Sequence, residues 1–512
     1  MTIKFKIITI VVSILLLLGG FITMNKNKDS NHLKVAFPVR FLVSAYEPTA
    51  IKFDFEYIFL ENVFSPLVEI SANGTIEPGV AEKVDWIGDE LKLTIRKDLK
   101  TISGKPITAD DVVFSLKRLL VLSGNTHGNF KDIVCPGADI KSTEDDCPGI
   151  REEGNFVFIN AKGKKSFLLP MLGAIDFAVV PKSSVDPSTL KIVDYSETSG
   201  PYSVQSDDGN GKIELKLNTH HYFASKNVPQ QITLVPTDSK SGTNSIKAFE
   251  DGLIDHIMTV DRSKTEDVIK YAKQNQDNDL LVTMKIRTLV LVFTQKGEQQ
   301  LTASERRYIG QALKEVFAKL FSETPGAEQR DEFFPNLGEG GLTVEQQALY
   351  KKESKKDRTA PALKVKLGLL TRVPLKDWAE PIQQKLPMVE SEVISYIPDF
   401  NKDLKPDEIP HAFIGFTDTG FMEDISLISY SLNSGVLGLS PNKRAEWLSD
   451  YMATDDKAVR INKLKNLHYE ALTRPTVFPL IALPYTALVR KPWKLELSEL
   501  YANNQLWRIK LH

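Results

Sequence analysis

Apolar and polar positions alternate cleanly in two stretches of the chain. Leu91, Leu93 and Ile95 interleave with Lys92, Thr94 and Arg96, the period-two pattern of a half-buried strand. Ile213, Leu215 and Leu217 repeat it around Glu214 and Lys216, just after the turn Asp207-Asp-Gly-Asn-Gly211. Residues 202–217 therefore read as a hairpin. Elsewhere the period is helical. Val112, Val113, Leu116, Leu119 and Leu120 form one stripe behind Thr108 as N-cap, with Asp110 and Asp111 in the positively polarised first turn. Thr302-Ala-Ser-Glu305 is a capping box ahead of Ile309, Leu313, Val316 and Leu320. A shorter helix is expected from Ser245 to Asp251, stopped by Gly252. Strands and helices mix without a regular βαβ rhythm, which predicts an α/β or α+β body with more than one lobe. Polar seams fall near 237–244, 321–360 and 401–408. The Gly- and Glu-rich stretch from Ser322 to Lys356 reads as an exposed excursion.

The N-terminus departs from this pattern. Lys4 and Lys6 precede an uncharged run from Ile7 to Met24, followed by Lys26 and Lys28. A basic start and an apolar run form a secretory signal, yet this run reaches the ~18 residues that can span a bilayer. No small-x-small cleavage site follows, since Leu18-Gly-Gly20 begins with the wrong residue, and no cysteine is near for lipid attachment. Export is expected, with the leader either removed or kept as a membrane anchor.

Composition narrows the function classes. The chain has 512 residues, 42% of them hydrophobic and 25% charged, and 64 Lys+Arg against 66 Asp+Glu leave a net charge of −2. Global disorder is excluded, and no basic footprint for nucleic acid exists. The two cysteines, Cys135 and Cys147, lie in a Pro/Gly/Asp-rich stretch that reads as a loop. In an oxidising compartment they would close a small structural ring, worth on the order of 3 kcal/mol in the chain-entropy model; the other reading is two unpaired thiols. Gly-x-Ser-x-Gly, Gly-x4-Gly-Lys-Ser/Thr and His-Glu-x-x-His are all absent. The adjacent His220-His221 pair suits a strand end better than a metal, and Gly338-Glu-Gly-Gly341 suits a flexible loop. No metal, cofactor or nucleophile–base set is expected. A two-lobed exported body without a reactive centre is a binder before it is an enzyme.

Several local patterns together resemble one family. They are Glu47-Pro48, Asn62-Val-Phe-Ser-Pro-Leu-Val-Glu69, Gly74-Thr-Ile-Glu-Pro-Gly-Val-Ala-Glu82 with Trp86, and Ser103-Gly-Lys-Pro-Ile-Thr-Ala-Asp-Asp-Val-Val-Phe-Ser-Leu-Lys-Arg118. Ser199-Gly-Pro-Tyr202, Phe249-Glu-Asp-Gly-Leu-Ile-Asp255 and Arg474-Pro-Thr-Val-Phe-Pro-Leu480 extend the likeness. The set resembles the extracytoplasmic solute-binding proteins of peptide and nickel ABC importers, family 5. It is strong over 47–118 and looser across 32–500.

This resemblance implies an α/β, periplasmic binding protein-like fold of the large peptide-binding class (type II), with two hinged lobes and an accessory domain. Residues 31–50, 165–245 and 470–512 would form lobe I, 51–164 the accessory domain and 246–469 lobe II, with 1–30 as signal or anchor. It implies capture of a peptide or other small solute in the interlobe cleft, by a periplasmic protein acting as a monomer beside an ABC permease of the inner membrane. A membrane-tethered sensor or scaffold that lost transport is the alternative. The ligand-binding segment of the family is matched by Gly415, Phe416, Thr417 and Asp418. Asp418 would face a peptide amino group, although the tryptophan and proline of that segment are absent here. Asp418 capping a turn before Gly420 is the competing reading.

Overall fold

The expected hairpin forms and seeds the first of two large sheets. Tyr202–Asp207 and Ile213–Leu217 pair antiparallel, with a register shift between Val204 and Ser206. Ile213–Leu217 then pairs with Gln231–Pro236, which runs parallel to His32–Phe37. A computed structural model describes residues 31–37, 42–51, 55–71, 75–123, 128–161, 165–237, 245–258, 265–283, 287–332, 340–370, 375–394, 409–418, 441–454, 456–497 and 505–512. The leader expected over 1–30 lies outside them. Among the described residues the first sheet has seven strands, completed by His256–Met258, Thr486–Arg490 and Asn278–Val282.

The second sheet has six strands in the order Glu328–Gln329, Val477–Leu483, Arg287–Phe293, Ala412–Asp418, Val365–Leu370 and Val389–Ile394. The chain passes between the sheets twice, once after Val282 and once after Leu483. The strands at 256–258 and 278–282 fall within the span expected for the second lobe, but pair into the first sheet. Val477–Leu483, in the span expected for lobe I, belongs to the second. Sheet membership therefore changes after Val282 and again after Leu483.

A third sheet, Ala81–Ile87, Glu90–Ile95, Phe156–Asn160 and Ile150–Glu153, packs against the helix Ala109–Leu122. Leu91, Leu93 and Ile95 are buried there as the alternation requires. The helix starts at the expected cap, a reciprocal capping box between Thr108 and Asp111. Cys135 and Cys147 are disulfide-bonded, and both are buried. Just beyond the ring, Gly149 passes against the residue before Cys135, where a Cβ would lie 2.1 Å from the Val134 carbonyl oxygen.

The helix at 303–320 carries the second expected capping box, with Ile309, Leu313 and Val316 buried. The excursion after it is not structureless. Thr343 caps a helix over Val344–Glu353 that packs on the helix Lys457–Thr473 through Tyr350 and Leu472.

One buried ion pair joins the helix Ala109–Leu122 to the segment that follows the first strand. Arg118 is 1% exposed, and its guanidinium meets both Glu47 oxygens at 3.0 and 2.6 Å while Nε donates to the Leu190 carbonyl at 2.8 Å. Glu47 also caps the short turn at Pro48–Ala50 through Thr49. Replacing Arg118 with Met leaves a carboxylate and a carbonyl short of donors. Arg118→Met is expected to lower unfolding free energy by about 3–5 kcal/mol, read by denaturant titration; a loss below about 1 kcal/mol would show that the pair contributes little.

Candidate functional site

The strand Ala412–Asp418 pairs antiparallel with Arg287–Phe293, setting Asp418 opposite Arg287, Thr417 opposite Thr288, Phe416 opposite Leu289 and Gly415 opposite Val290. On its other side Arg287 pairs with Leu483. Arg287 is the first strand residue after one crossing, and Leu483 is the last before the other. The four expected site residues are thus contiguous on one strand, with Asp418 in the row at its crossing end. Gly415 is buried, and Asp418 is a strand terminus. The turn to Gly420 lies outside the described residues.

Both sheets present the same kind of edge to the crossings. In the second sheet Val365–Leu370, Val389–Ile394 and Ala412–Asp418 run parallel, so their carboxyl ends fall together at Leu370, Ile394 and Asp418. In the first, His32–Phe37 runs parallel to both Gln231–Pro236 and His256–Met258, ending at Phe37, Pro236 and Met258. Asn278–Val282 ends on that side too, because it and His256–Met258 are each antiparallel to Thr486–Arg490. In open α/β sheets ligands bind outside the carboxyl ends of parallel strands.

The crossings are tied to each other. Thr283 N–H donates to the Tyr485 carbonyl at 3.0 Å, and Tyr485 N–H donates to Thr283 Oγ1 at 2.8 Å. Both residues are buried. The amino-acid pattern carries no signal for this pair, because its partners lie in connecting segments 202 positions apart.

A second polar cluster resembles catalytic machinery and is not. His221 Nε2 lies 3.0 Å from Ser65 Oγ, and both residues are buried. Phe223 N–H donates to His221 Nδ1 at 3.2 Å, so the ring proton sits on Nε2 and His221 donates to the serine. A ring in that tautomer cannot take a serine proton. Ser65 in turn hydrogen-bonds Tyr222, whose hydroxyl donates to Glu69 at 2.8 Å. Burial holds His221 down to about 3 and pushes Glu69 up to about 7, the Glu69 shift being opposed by Tyr222, Arg508 and Arg96. Arg96 also stacks over the Tyr222 ring at 4.5 Å. Among the described residues no group of His, Cys, Asp or Glu is arranged to hold a metal ion.

Comparison with known proteins agrees with this architecture. The family model for bacterial extracellular solute-binding proteins, family 5 Middle, matches residues 75–318. The dipeptide-binding protein of Lactococcus lactis subsp. cremoris is 24% identical over 302 residues, covering 56% of this chain and 53% of the relative. The periplasmic oligopeptide-binding protein OppA of Salmonella typhimurium is 25% identical over 213 residues, 38% of this chain and 37% of the relative. The chain thus spans about half, or less, of the length of the curated relatives it matches.

Solved structures cover far more of it. Haemophilus influenzae OppA in complex with RPPGFSPFR superposes with a TM-score of 0.72 at 14% identity, covering 94% of this chain and 99% of that one. Brucella suis NikA in complex with Fe(III)-EDTA gives a TM-score of 0.72 at 17% identity, covering 94% and 100%. The fold is the periplasmic binding protein-like α/β fold expected from the sequence.

Two outcomes follow. Glu69 has a folded-state pKa raised from 4.5 to about 7, so its contribution is fully present below pH 4.5 and is lost as pH rises through 7. Glu69→Gln keeps an acceptor for Tyr222 and abolishes the titration. Relative to wild type it should gain about 3 kcal/mol between pH 4.5 and 8; parallel pH profiles in denaturant unfolding would refute the assignment. Thr283→Val removes the acceptor of the Tyr485 N–H and should cost about 1–3 kcal/mol, with Thr283→Ser close to wild type in the same assay.

Proposed function

We propose that this chain, a member of the bacterial extracellular solute-binding proteins of family 5, captures a peptide or peptide-like solute between its two sheets without transforming it. The observation that carries this reading is the shared edge: parallel strands of both sheets end toward one pair of hydrogen-bonded crossings. Two sheets joined that way can close on a guest by hinge motion. We assign the seven-stranded sheet and its packing to lobe I, the six-stranded sheet to lobe II, and the sheet with the disulfide ring to the accessory domain. The printed names of the relatives, dipeptide-binding and oligopeptide-binding proteins, favour peptides as the guest.

In this reading Gly415, Phe416, Thr417 and Asp418 form part of the binding wall, and Asp418 receives the amino terminus of the guest. A carboxylate at a strand end discriminates for an ammonium, since charged hydrogen bonds contribute about 1.5–3 kcal/mol. Water fills the space that variable peptide side chains leave. The loaded protein then delivers its guest to an ABC permease in the membrane. The disulfide accords with an oxidising, extracytoplasmic setting, reached through the 1–30 leader as signal or as retained anchor. Among the described residues no helix is long and apolar enough to cross a membrane.

Calorimetry with peptides of two to five residues tests this. Saturable binding is expected, together with a rise in Tm. Asp418→Asn should weaken free-amino peptides by about 10–100-fold and leave N-acetylated ones unchanged. Absence of binding to any peptide in the series refutes peptide capture; equal losses for both peptide classes refute the role of Asp418.

A further inference from the structure

The outer flank of the second lobe holds a polar cavity that peptide capture does not use. Its volume is about 50 Å³, and it lies between the helix at 303–320, the helix at 344–353 and the end of the helix at 457–473. Phe478 lines it, roughly 17 Å along its strand from Leu483 at about 3.4 Å per residue. The cavity is therefore well removed from the crossing edge. Arg307, Gln311 and Lys314 stand at i, i+4 and i+7 on one helical stripe and all reach it. The stripe lies beside the apolar one, and the helix sits close on its sheet because Gly310 meets the Phe478 ring, where a Cβ would lie 2.4 Å away.

The charges of the wall do not cancel. Arg307, Lys314 and Arg358 face Asp331 and Glu353. Asp331 is taken by Lys314 at 2.9 Å, and Glu353 by Lys356, which is not part of the wall. The Lys314 side chain is only 6% exposed, and among the described residues its ammonium has that one acceptor for three N–H groups. Each guanidinium gives one N–H to a backbone carbonyl, Arg307 to Asp357 at 3.3 Å and Arg358 to Ser354 at 2.9 Å. Among the described residues no carboxylate accepts a hydrogen bond from their remaining donors, and Glu315, whose carboxyl feels the Arg358 charge, is itself paired with Lys385 outside the wall. Burial, reinforced by Asp331, pushes the Tyr350 phenol well up, so its hydroxyl stays a donor.

A wall of donors around an uncompensated positive charge recognises an anion. About one water needs 10–15 Å³ of such space, so this cavity has room for roughly four oxygens. We propose that it binds a small tetrahedral oxyanion of the phosphate or sulfate type, held by Arg307, Arg358 and Lys314. The proposal is independent of peptide capture and of Asp418.

The test uses the full chain and inorganic phosphate. Thermal unfolding is followed across a phosphate titration at constant ionic strength set with sodium chloride, and 31P NMR line widths are recorded on the same samples. A saturable rise in Tm with matching line broadening is expected, and sulfate should compete for the site. Arg358→Gln, at an exposed position, and the double variant Arg307→Gln/Arg358→Gln should weaken the response at least tenfold. Peptide affinity should stay as in wild type. A Tm rise equal to that with chloride alone overturns the proposal, as does broadening that survives in Arg358→Gln. If the double variant does not fold, the wild-type titration and the single variant decide.

Discussion

Among the described strands, sheet membership changes along the chain only after Val282 and after Leu483, and Thr283 and Tyr485, the residues beside these two changes, are hydrogen-bonded to each other. That constraint orders much else. A pair of sheets joined at one doubly stitched edge keeps the strand ends beside that edge in a fixed relation. Arg287, Asp418 and Leu483 share a register row because the crossings fix where the second sheet begins. A chain that crossed at distant points would lock the two sheets rigidly; one that crossed once would leave them free to twist.

The body around the seven-stranded sheet, by contrast, is assembled from pieces far apart in sequence, and polar contacts hold the pieces in place. Glu47 is anchored by Arg118 across a span of 71 residues. Tyr195 donates its hydroxyl to the Tyr46 carbonyl. The final segment docks by stacking Trp507 on Phe223, with ring centroids 3.7 Å apart, while Leu506 N–H donates to Asn62 Oδ1. Apolar burial supplies most of the free energy in such a body, but it is not directional. These contacts choose which surfaces meet.

Local chemistry explains what could be read from the chain. The capping boxes at Thr108 and Thr302, the 202–217 hairpin and the half-buried strand at 90–95 are written within a few residues of where they form. The exchange of strands between sheets was not legible. Val477–Leu483 is buried throughout and Thr486–Arg490 nearly so, so no alternation marks the two residues between them as a boundary. The helix at 344–353 is not legible in the periodicity because its apolar residues point both ways: Val344 is 84% exposed whereas Tyr350 is 7% exposed. The segment 415–418 came from likeness to a family; periodicity within it does not single out Asp418. The oxyanion cavity hid in plain view, since three polar residues at helical spacing also describe any solvated face.

The bond from Leu506 to Asn62 spans 444 positions, and Ile509–Leu511 finishes a two-stranded sheet with Trp493–Leu495. A ribosome delivers the first of these partners long before the last. Until residue 506 has been synthesised, Asn62 has no such donor and Phe223 no Trp507 to stack on, so the first-made part of the lobe waits in an incomplete state. High contact order of this kind slows folding. The architecture itself postpones the compact state until its last segment is available to dock on its first.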